Sequence, residues 1–341
     1  MSDTTNNRKA EVLSIIQDDP DVDRRGRGFD AIRLRHRALP ELNARDVDSS
    51  VSFLGKRLSF PLLISSMTGG DHDVLRRINR RLAEAAETAG VAMGVGSQRV
   101  LFTHPMSRSC FELRDAAPKA LLFANLGAVQ LNYGFELAHA QQAVDCLQAD
   151  GLYFHLNPLQ EAIQPEGNTD FSSLAEKIGR IAAGLSVPVL LKEVGSGLSR
   201  ADVELALQQG VRFFDIAGSG GTSWSRIENH RRRPFISDDL GLTFQDWGIP
   251  TPQALRDLAP FRDRVTLIAS GGLRSGLDMA KAVILGASLC GLAAPFLTAA
   301  AESTECVLET IERLRREFTT AMFLLGVRTV DALRGEESLI L

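Results

Sequence analysis

Pro188-Val189-Leu190-Leu191-Lys192-Glu193-Val194-Gly195 is a short apolar run that halts on a lysine and an acid and then turns on glycine. Such a run, bounded by turn signals, reads as a strand buried on both faces, the kind that parallel sheets use. The same phrase recurs on either side of it. Strand candidates are Leu62–Ser66, Ala92–Val95, Ala120–Ala124, Gly151–His155, Pro188–Lys192, Phe213–Ala217, Thr266–Ser270 and Ser288–Leu292, eight in all. Between them apolar residues fall at helical spacing, as in Leu75, Ile78, Leu82 and Ala86, or Leu174, Ile178 and Ile181. Eight strands, about 30 residues apart and alternating with helices, predict an α/β fold, a (β/α)8 TIM barrel. An open doubly wound sheet usually has fewer strands.

The length of 341 residues would otherwise suggest two domains, but a barrel absorbs it as one. We read residues 1–60 as a short N-terminal extension and residues 61–341 as the barrel. Within the extension, Val47, Val51, Phe53 and Leu58 alternate with polar residues around Gly55-Lys56, the pattern of a small hairpin. Hydrophobic residues make up 44% and charged residues 23%, enough to bury a large core. A net charge of −4 offers no global field to draw in nucleic acid or anionic lipid. Cys110, Cys146, Cys290 and Cys306 form no CxxC pair and read as reduced, buried small hydrophobes. Neither a signal-peptide core nor an apolar stretch of about 18 residues is present, which points to a cytoplasmic protein outside the membrane.

Barrels of this kind carry their sites at the C-terminal strand ends, and those ends are polar. They read Met67-Thr68-Gly69-Gly70, Gly96-Ser97-Gln98-Arg99, Asn125-Leu126-Gly127, His155-Leu156-Asn157, Lys192-Glu193, Gly218-Ser219-Gly220-Gly221-Thr222, Gly271-Gly272 and Ala293-Ala294. Glycines in the two late clusters either form turns or let backbone N–H groups approach a phosphate, and their succession at neighbouring strands favours phosphate. Lys192 needs an anion at the barrel mouth, from a ligand, from neighbouring Glu193 or from another strand-end acid. Arg99 could clamp a second phosphate or bridge loops. His155 is a ligand, an acid–base group or a hydrogen-bonded core residue, and the polar run Gln160, Glu161, Gln164 and Glu166 after it favours a site. Glu161 supplies one oxygen, so a magnesium ion there would need phosphate oxygens and water. Arg231-Arg232-Arg233 reads as a solvated loop face before it reads as anion steering. The long connection from Gly218 to Pro250, with Trp224 and Trp247, suggests a lid.

Taken together, the stretches are specific. Pro61 to Gly70, Met93 to Arg99, His155 to Glu161, Leu191 to Gly195, Ala217 to Trp224, Trp247 to Thr251 and Ala269 to Arg274 resemble the type 2 isopentenyl diphosphate isomerases, over nearly the whole chain from Phe29 on. The resemblance implies an FMN-dependent barrel that interconverts isopentenyl and dimethylallyl diphosphate, with Mg²⁺ and a flavin kept reduced, commonly by NADPH. Carried over residue by residue, Met67, Thr68, Gly69, Ser97, Asn125, Lys192, Thr222, Gly271, Gly272, Ala293 and Ala294 would line FMN. Arg8, Lys9, Ser97, Arg99, His155, Asn157 and Gln160 would meet the substrate, and Glu161 would hold Mg²⁺. Gln160, His155 and Lys192 are the implied catalytic set. One departure is Val12, where the family pattern has histidine after the Arg8-Lys9 pair. The family also implies a homo-oligomer.

An unactivated alkene is protonated poorly by ordinary side-chain acids, so the implied mechanism uses the reduced flavin as proton donor and acceptor. Lys192 would offset its negative charge and Gln160 would orient the substrate or relay a proton. Two other readings are an FMN-dependent 2-hydroxy-acid oxidoreductase and a non-catalytic phosphate-ligand barrel. The oxidase reading wants a histidine beside the glycine pair of the strand-six loop, whereas His230 lies well beyond Gly220-Gly221.

Overall fold

The computed structural model describes residues 11–12, 14–16, 18–24, 28–67, 69–70, 72–232 and 238–341. Ten strands are described: β1 (Val51–Phe53), β2 (Lys56–Leu58), β3 (Leu62–Ile64), β4 (Ala92–Gly94), β5 (Leu121–Gly127), β6 (Gly151–Leu156), β7 (Val189–Glu193), β8 (Phe213–Asp215), β9 (Thr266–Ser270) and β10 (Leu289–Leu292). Strands β3 to β10 close into a parallel barrel in chain order, β10 pairing with β3. All eight expected runs are barrel strands, shifted at their ends by up to three residues. Each is apolar enough to be buried on both faces, as a sheet enclosed by helices requires.

The helices form the outer layer. Asp73–Ala89 turns Leu75, Ile78 and Leu82 inward, the predicted stripe, and stops at Gly90 in the left-handed region. Leu174–Gly184 buries Leu174, Ile178 and Ile181 in the same way. Thr304–Leu325, the longest helix at 22 residues, packs against Asp73–Ala89 and against Gly276–Ile284 near the end of the chain. Among the described residues no helix is long and apolar enough to cross a membrane.

The hairpin β1–β2 is antiparallel, with Leu54-Gly55 at its tip. It closes the N-terminal end of the barrel. Phe53 meets the rings of Phe123 and Phe213 edge-on at 6.3 and 6.0 Å, and both of those rings sit near the beginnings of barrel strands. Lys56 ties the hairpin to Asp150 at 2.6 Å. With one end of the cylinder plugged by aromatic rings, a ligand has the other end to enter.

Candidate active site

The C-terminal strand ends surround a cavity of about 300 Å³, within the size range of ligand sites. Met67, Ser97, Arg99, Asn125, His155, Asn157, Gln160, Glu161, Lys192, Thr222, Gly271, Gly272, Ala293 and Ala294 all line it. Thus residues from every quarter of the sequence meet at one mouth. Gly69 is not among them. It packs against Phe111, whose ring atoms a Cβ at that position would meet at 2.4 Å, so close packing accounts for the glycine. Thr68, Arg8 and Lys9 lie outside the described residues.

On the late-strand side the wall is made of backbone. Gly271 and Gly272 have φ of +90° and +84°, conformations that favour glycine. A Cβ on Gly271 would lie 2.1 Å from the Gly218 carbonyl oxygen, and one on Gly218 would lie 2.5 Å from Thr251 Oγ1. Thr251, fully buried, fixes this edge by donating its hydroxyl to the carbonyls of Ser270 and Gly271 at 2.9 and 2.7 Å. Beside it the helix Ala294–Glu302 begins at the cavity, with no side-chain cap on its first turn. Uncapped N–H groups and the positive end of the helix dipole suit an anion, so this edge fits a phosphate. The hydroxyls of Ser65 and Ser66, just beyond β3 and next to β10, are buried without a protein partner and offer further polar contact.

Lys192 is buried, and its Nζ donates to the main-chain oxygen of Glu193 at 2.7 Å. The salt bridge to Glu193 that the sequence left open does not form. The Glu193 carboxylate instead turns to the following loop and accepts the N–H groups of Val194, Gly195, Ser196 and Gly197. Burial pushes that carboxyl above its usual range, against the pull of those donors and of the Lys192 charge. On β5, two strands away, the Asn125 amide donates to the Val95 carbonyl, which leaves Asn125 Oδ1 facing His155 Nδ1 at 2.8 Å. His155 therefore carries its proton on Nδ1 and turns the other nitrogen toward Gly127.

Gln160 and Glu161 sit in the helix Pro158–Ile163, which Pro158 starts and Gln164 ends. Gln160 Nε2 donates to Glu228 Oε1 at 2.8 Å, and Arg231 Nη1 holds Glu228 Oε2 at 2.5 Å. Glu161 accepts from Asn157 Nδ2 at 2.9 Å, from Gln164 Nε2 at 2.5 Å and from the Asn168 N–H at 2.6 Å. Asn157 Oδ1 and Gln164 Oε1 are buried acceptors without a protein partner. An acid beside two unused amide oxygens is the donor chemistry of a hard cation, although no group of three or more His, Cys, Asp or Glu gathers among the described residues.

Several features escaped the sequence reading. Glu228 is wholly buried, one helical turn beyond Trp224 in Trp224–Arg232, and that i,i+4 spacing from a lining residue was the available signal. Arg231 and Arg232 are not a solvated face. Arg231 bridges Glu11, Glu166 and Glu228, and Arg232 joins Asp238 and the Ile163 carbonyl. Arg233 lies outside the described residues. Trp224 lines the cavity, but Trp247 is 62% exposed against Phe244 and is no part of a lid over it. Arg24, buried, donates to the carbonyls of Gly195, Gly221, Thr222, Gln245 and Trp247, tying three rim loops to the N-terminal strap. Val12 lies under that strap in an apolar cluster with Val22 and Ile227 and lines the cavity. His230 is held by Asp19 at 2.7 Å and is not a lining residue, so it does not take the place at the cavity that the oxidase reading wants for a histidine.

A parallel barrel whose late strands end in a glycine edge suited to an anion defines a class, the phosphate-binding (β/α)8 barrels. The FMN-dependent dehydrogenase family matches residues 12–103 and 135–339. A mandelate oxidase structure superposes with a TM-score of 0.63 at 18% identity, covering 96% of each chain. The recombinant flavin-binding domain of baker's yeast flavocytochrome b2 superposes at 0.65 with 19% identity, over 92% of this chain and 76% of that one. At such identity these likenesses concern the fold alone. The chain belongs to this FMN-dependent family, and within it to the isopentenyl-diphosphate delta-isomerases. The protein of that name from Paracoccus zeaxanthinifaciens is 58% identical over 98% of this chain and 96% of its own. Those from Hydrogenovibrio crunogenus and a Nostoc species are 53% and 45% identical, each over 98% of this chain and 97% and 96% of their own.

Proposed function

We propose that this chain interconverts isopentenyl and dimethylallyl diphosphate, with FMN at the glycine edge and Mg²⁺ on the substrate diphosphate. The observation that carries the reading is that Gln160 and Glu161, adjacent on one short helix, face the same cavity as Gly271 and Gly272. An alkene site and a phosphate site are thereby joined. When bound and reduced, the flavin supplies a proton donor and acceptor at its ring nitrogens, and the double bond moves by one carbon with no net redox change.

The chain's own groups bind, orient and exclude water. Gly271, Gly272 and the start of Ala294–Glu302 would hold the flavin phosphate, while Met67, Thr68, Ser97, Asn125 and Thr222 would line the rest of the cofactor. Lys192 offsets negative charge on the ring. Arg99, His155 and Asn157 bind the diphosphate end, and Arg8 and Lys9, outside the described residues, would add cations for it. Glu161, with Asn157 Oδ1 and Gln164 Oε1, offers oxygens to Mg²⁺. Gln160, fixed in rotamer by Glu228, orients the alkene, and Trp224 and Val12 keep water from it. Diphosphate binding energy is thus spent on holding a small apolar tail in place. NADPH as reductant, a homo-oligomeric state and a cytoplasmic setting belong to the same reading.

Anaerobic incubation with FMN, NADPH, Mg²⁺ and isopentenyl diphosphate tests it by product analysis. The expected result is dimethylallyl diphosphate at equilibrium with substrate and no stoichiometric loss of NADPH. Aerobic turnover of lactate or glycolate without isomerisation would overturn it.

A further inference from the structure

Behind Gln160 runs a chain of charged side chains that do not line the cavity. Gln160 is buried, and its amide is engaged at both ends: Nε2 donates to Glu228 Oε1 at 2.8 Å, and Oε1 accepts from Asn157 Nδ2 at 3.1 Å. An amide has two N–H groups and two lone pairs, and these partners take one of each. A carboxylate accepts and does not donate, so Glu228 dictates which end of the amide turns toward it. Glu228 is wholly buried and does not reach the cavity itself. Its other oxygen, Oε2, is held at 2.5 Å by Nη1 of Arg231, three residues on in the same helix. Arg231 is not a lining residue either.

Three acids share this arginine. Nη2 donates to Glu166 Oε1 at 2.6 Å and Nε to Glu11 Oε2 at 3.2 Å, so Glu11 comes from the strap and Glu166 from the turn after the helix of Gln160. Their burial decides what each contact is for. The side chains of Glu166 and Glu11 are 43% and 49% exposed, whereas that of Glu228 is at 0%. Solvent screens the two outer pairs, and the inner pair is the costly one to break. Three donors on three acids nonetheless fix the plane of the guanidinium, and with it the direction in which Nη1 meets Glu228. Burial opposes the charge on Arg231, but Glu228 and Glu166 hold its pKa above the ordinary arginine value. Removing the guanidinium loosens the Glu228 carboxylate about its terminal torsion, a broad one for glutamate, and the amide that it directs loosens with it.

We propose that Arg231 is a positioning residue for the isomerisation, acting through Glu228 to set the direction of the Gln160 amide. This rests on the reading of Gln160 as the group that orients the alkene. Loss of Arg231 then slows the reaction step more than it weakens substrate binding, because the diphosphate is gripped by other groups.

A double-mutant cycle tests this on the full-length holoenzyme, reduced anaerobically with dithionite and assayed on isopentenyl diphosphate with Mg²⁺. Arg231→Met should lower kcat by about 10- to 100-fold, the range that a misplaced group costs. KM and FMN affinity should stay within about twofold of wild type, as for an interaction that counts in the transition state. In a Gln160→Ala background the same substitution should change kcat by less than about twofold, because the group it directs is gone. Losses that multiply in the double variant, or a wild-type kcat in Arg231→Met, would overturn the proposal. So would a loss that appears as raised KM and weaker FMN binding, the mark of an arginine that only holds the fold. The cycle also separates the two readings. If Gln160→Ala turns over near wild type, the reading of Gln160 fails and the proposal with it, and if Gln160→Ala is slow while Arg231→Met multiplies its loss, only the role of Arg231 fails. Should Arg231→Met not fold with FMN, Arg231→Lys, which keeps the charge and gives up the fork, enters the same cycle. A smaller loss that vanishes beside Gln160→Ala is then expected, and no loss, or one that persists, contradicts the proposal.

Discussion

The two ends of the barrel are built by opposite rules. At the N-terminal end Phe53, Phe123 and Phe213 close the cylinder with rings, and Val51 and Leu58 of the hairpin belong to the same continuous core. At the other end, among the described residues, buried side-chain oxygens without a protein partner collect at the mouth: Ser65 Oγ, Ser66 Oγ, Asn157 Oδ1 and Gln164 Oε1. Each unpaired buried polar atom costs about 1–3 kcal/mol. Acceptors and hydroxyls left open together around one mouth hold that end ready for a ligand. The hairpin serves stability and the rim serves chemistry.

Gln160→Ala should separate the ends most sharply. Turnover should fall by about 100-fold or more, the range that a positioned acid–base or orienting group contributes, while FMN stays bound and the melting temperature barely moves. Turnover near wild type would remove Gln160 from the chemistry. At the plug, Phe53→Ala should cost about 3–5 kcal/mol in urea denaturation, because a buried ring leaves a cavity. Its per-molecule FMN affinity should be unchanged, and a matching loss of affinity would mean that the two ends are coupled. Gly271→Ala comes next. Its Cβ would fall on the Gly218 carbonyl and its φ of +90° suits glycine, so the expected result is a fall in FMN affinity of about tenfold or more, with a strain cost of about 1–3 kcal/mol. Equilibrium dialysis would report it.

The strap gives a smaller, pH-dependent effect. Arg226 and His230 hold the Asp19 carboxyl down at about 2 from its usual 3.8. A depressed acid stabilises the folded form fully above the unfolded value and loses that contribution as pH falls through 3.8 toward 2. Amide exchange of residues 19–24 should therefore accelerate over that window, and Asp19→Asn should show the faster exchange at neutral pH. Exchange independent of both would detach Asp19 from the strap. Smallest is the cysteine test. Burial pushes the Cys146 thiol up to about 11 and Cys290 higher still, whereas Cys306 is partly exposed. Maleimide should label Cys306 in the native protein before Cys110, Cys146 or Cys290.

The barrel was legible because each strand is an unbroken apolar run bounded by glycine or polar residues, as Val189 to Leu191 before Lys192. The mouth was legible because the barrel architecture aims the residue after each run at one place. What escaped depends on contacts distant in sequence. Arg24 finds carbonyls 171 to 223 residues away, and Glu228 meets Gln160 across 68. No local period encodes such pairs. Arg231 reads as solvated because three arginines in a row usually are, yet Glu11 and Glu166 from two distant segments join Glu228 of its own helix around it.

The most direct test of the whole account is fluorescence titration of deflavinated protein with FMN. Saturation at one FMN per chain, weakened by Gly271→Ala and untouched in affinity by Phe53→Ala, is the predicted result. No saturable binding, or binding indifferent to Gly271→Ala, would contradict the assignment of the glycine edge.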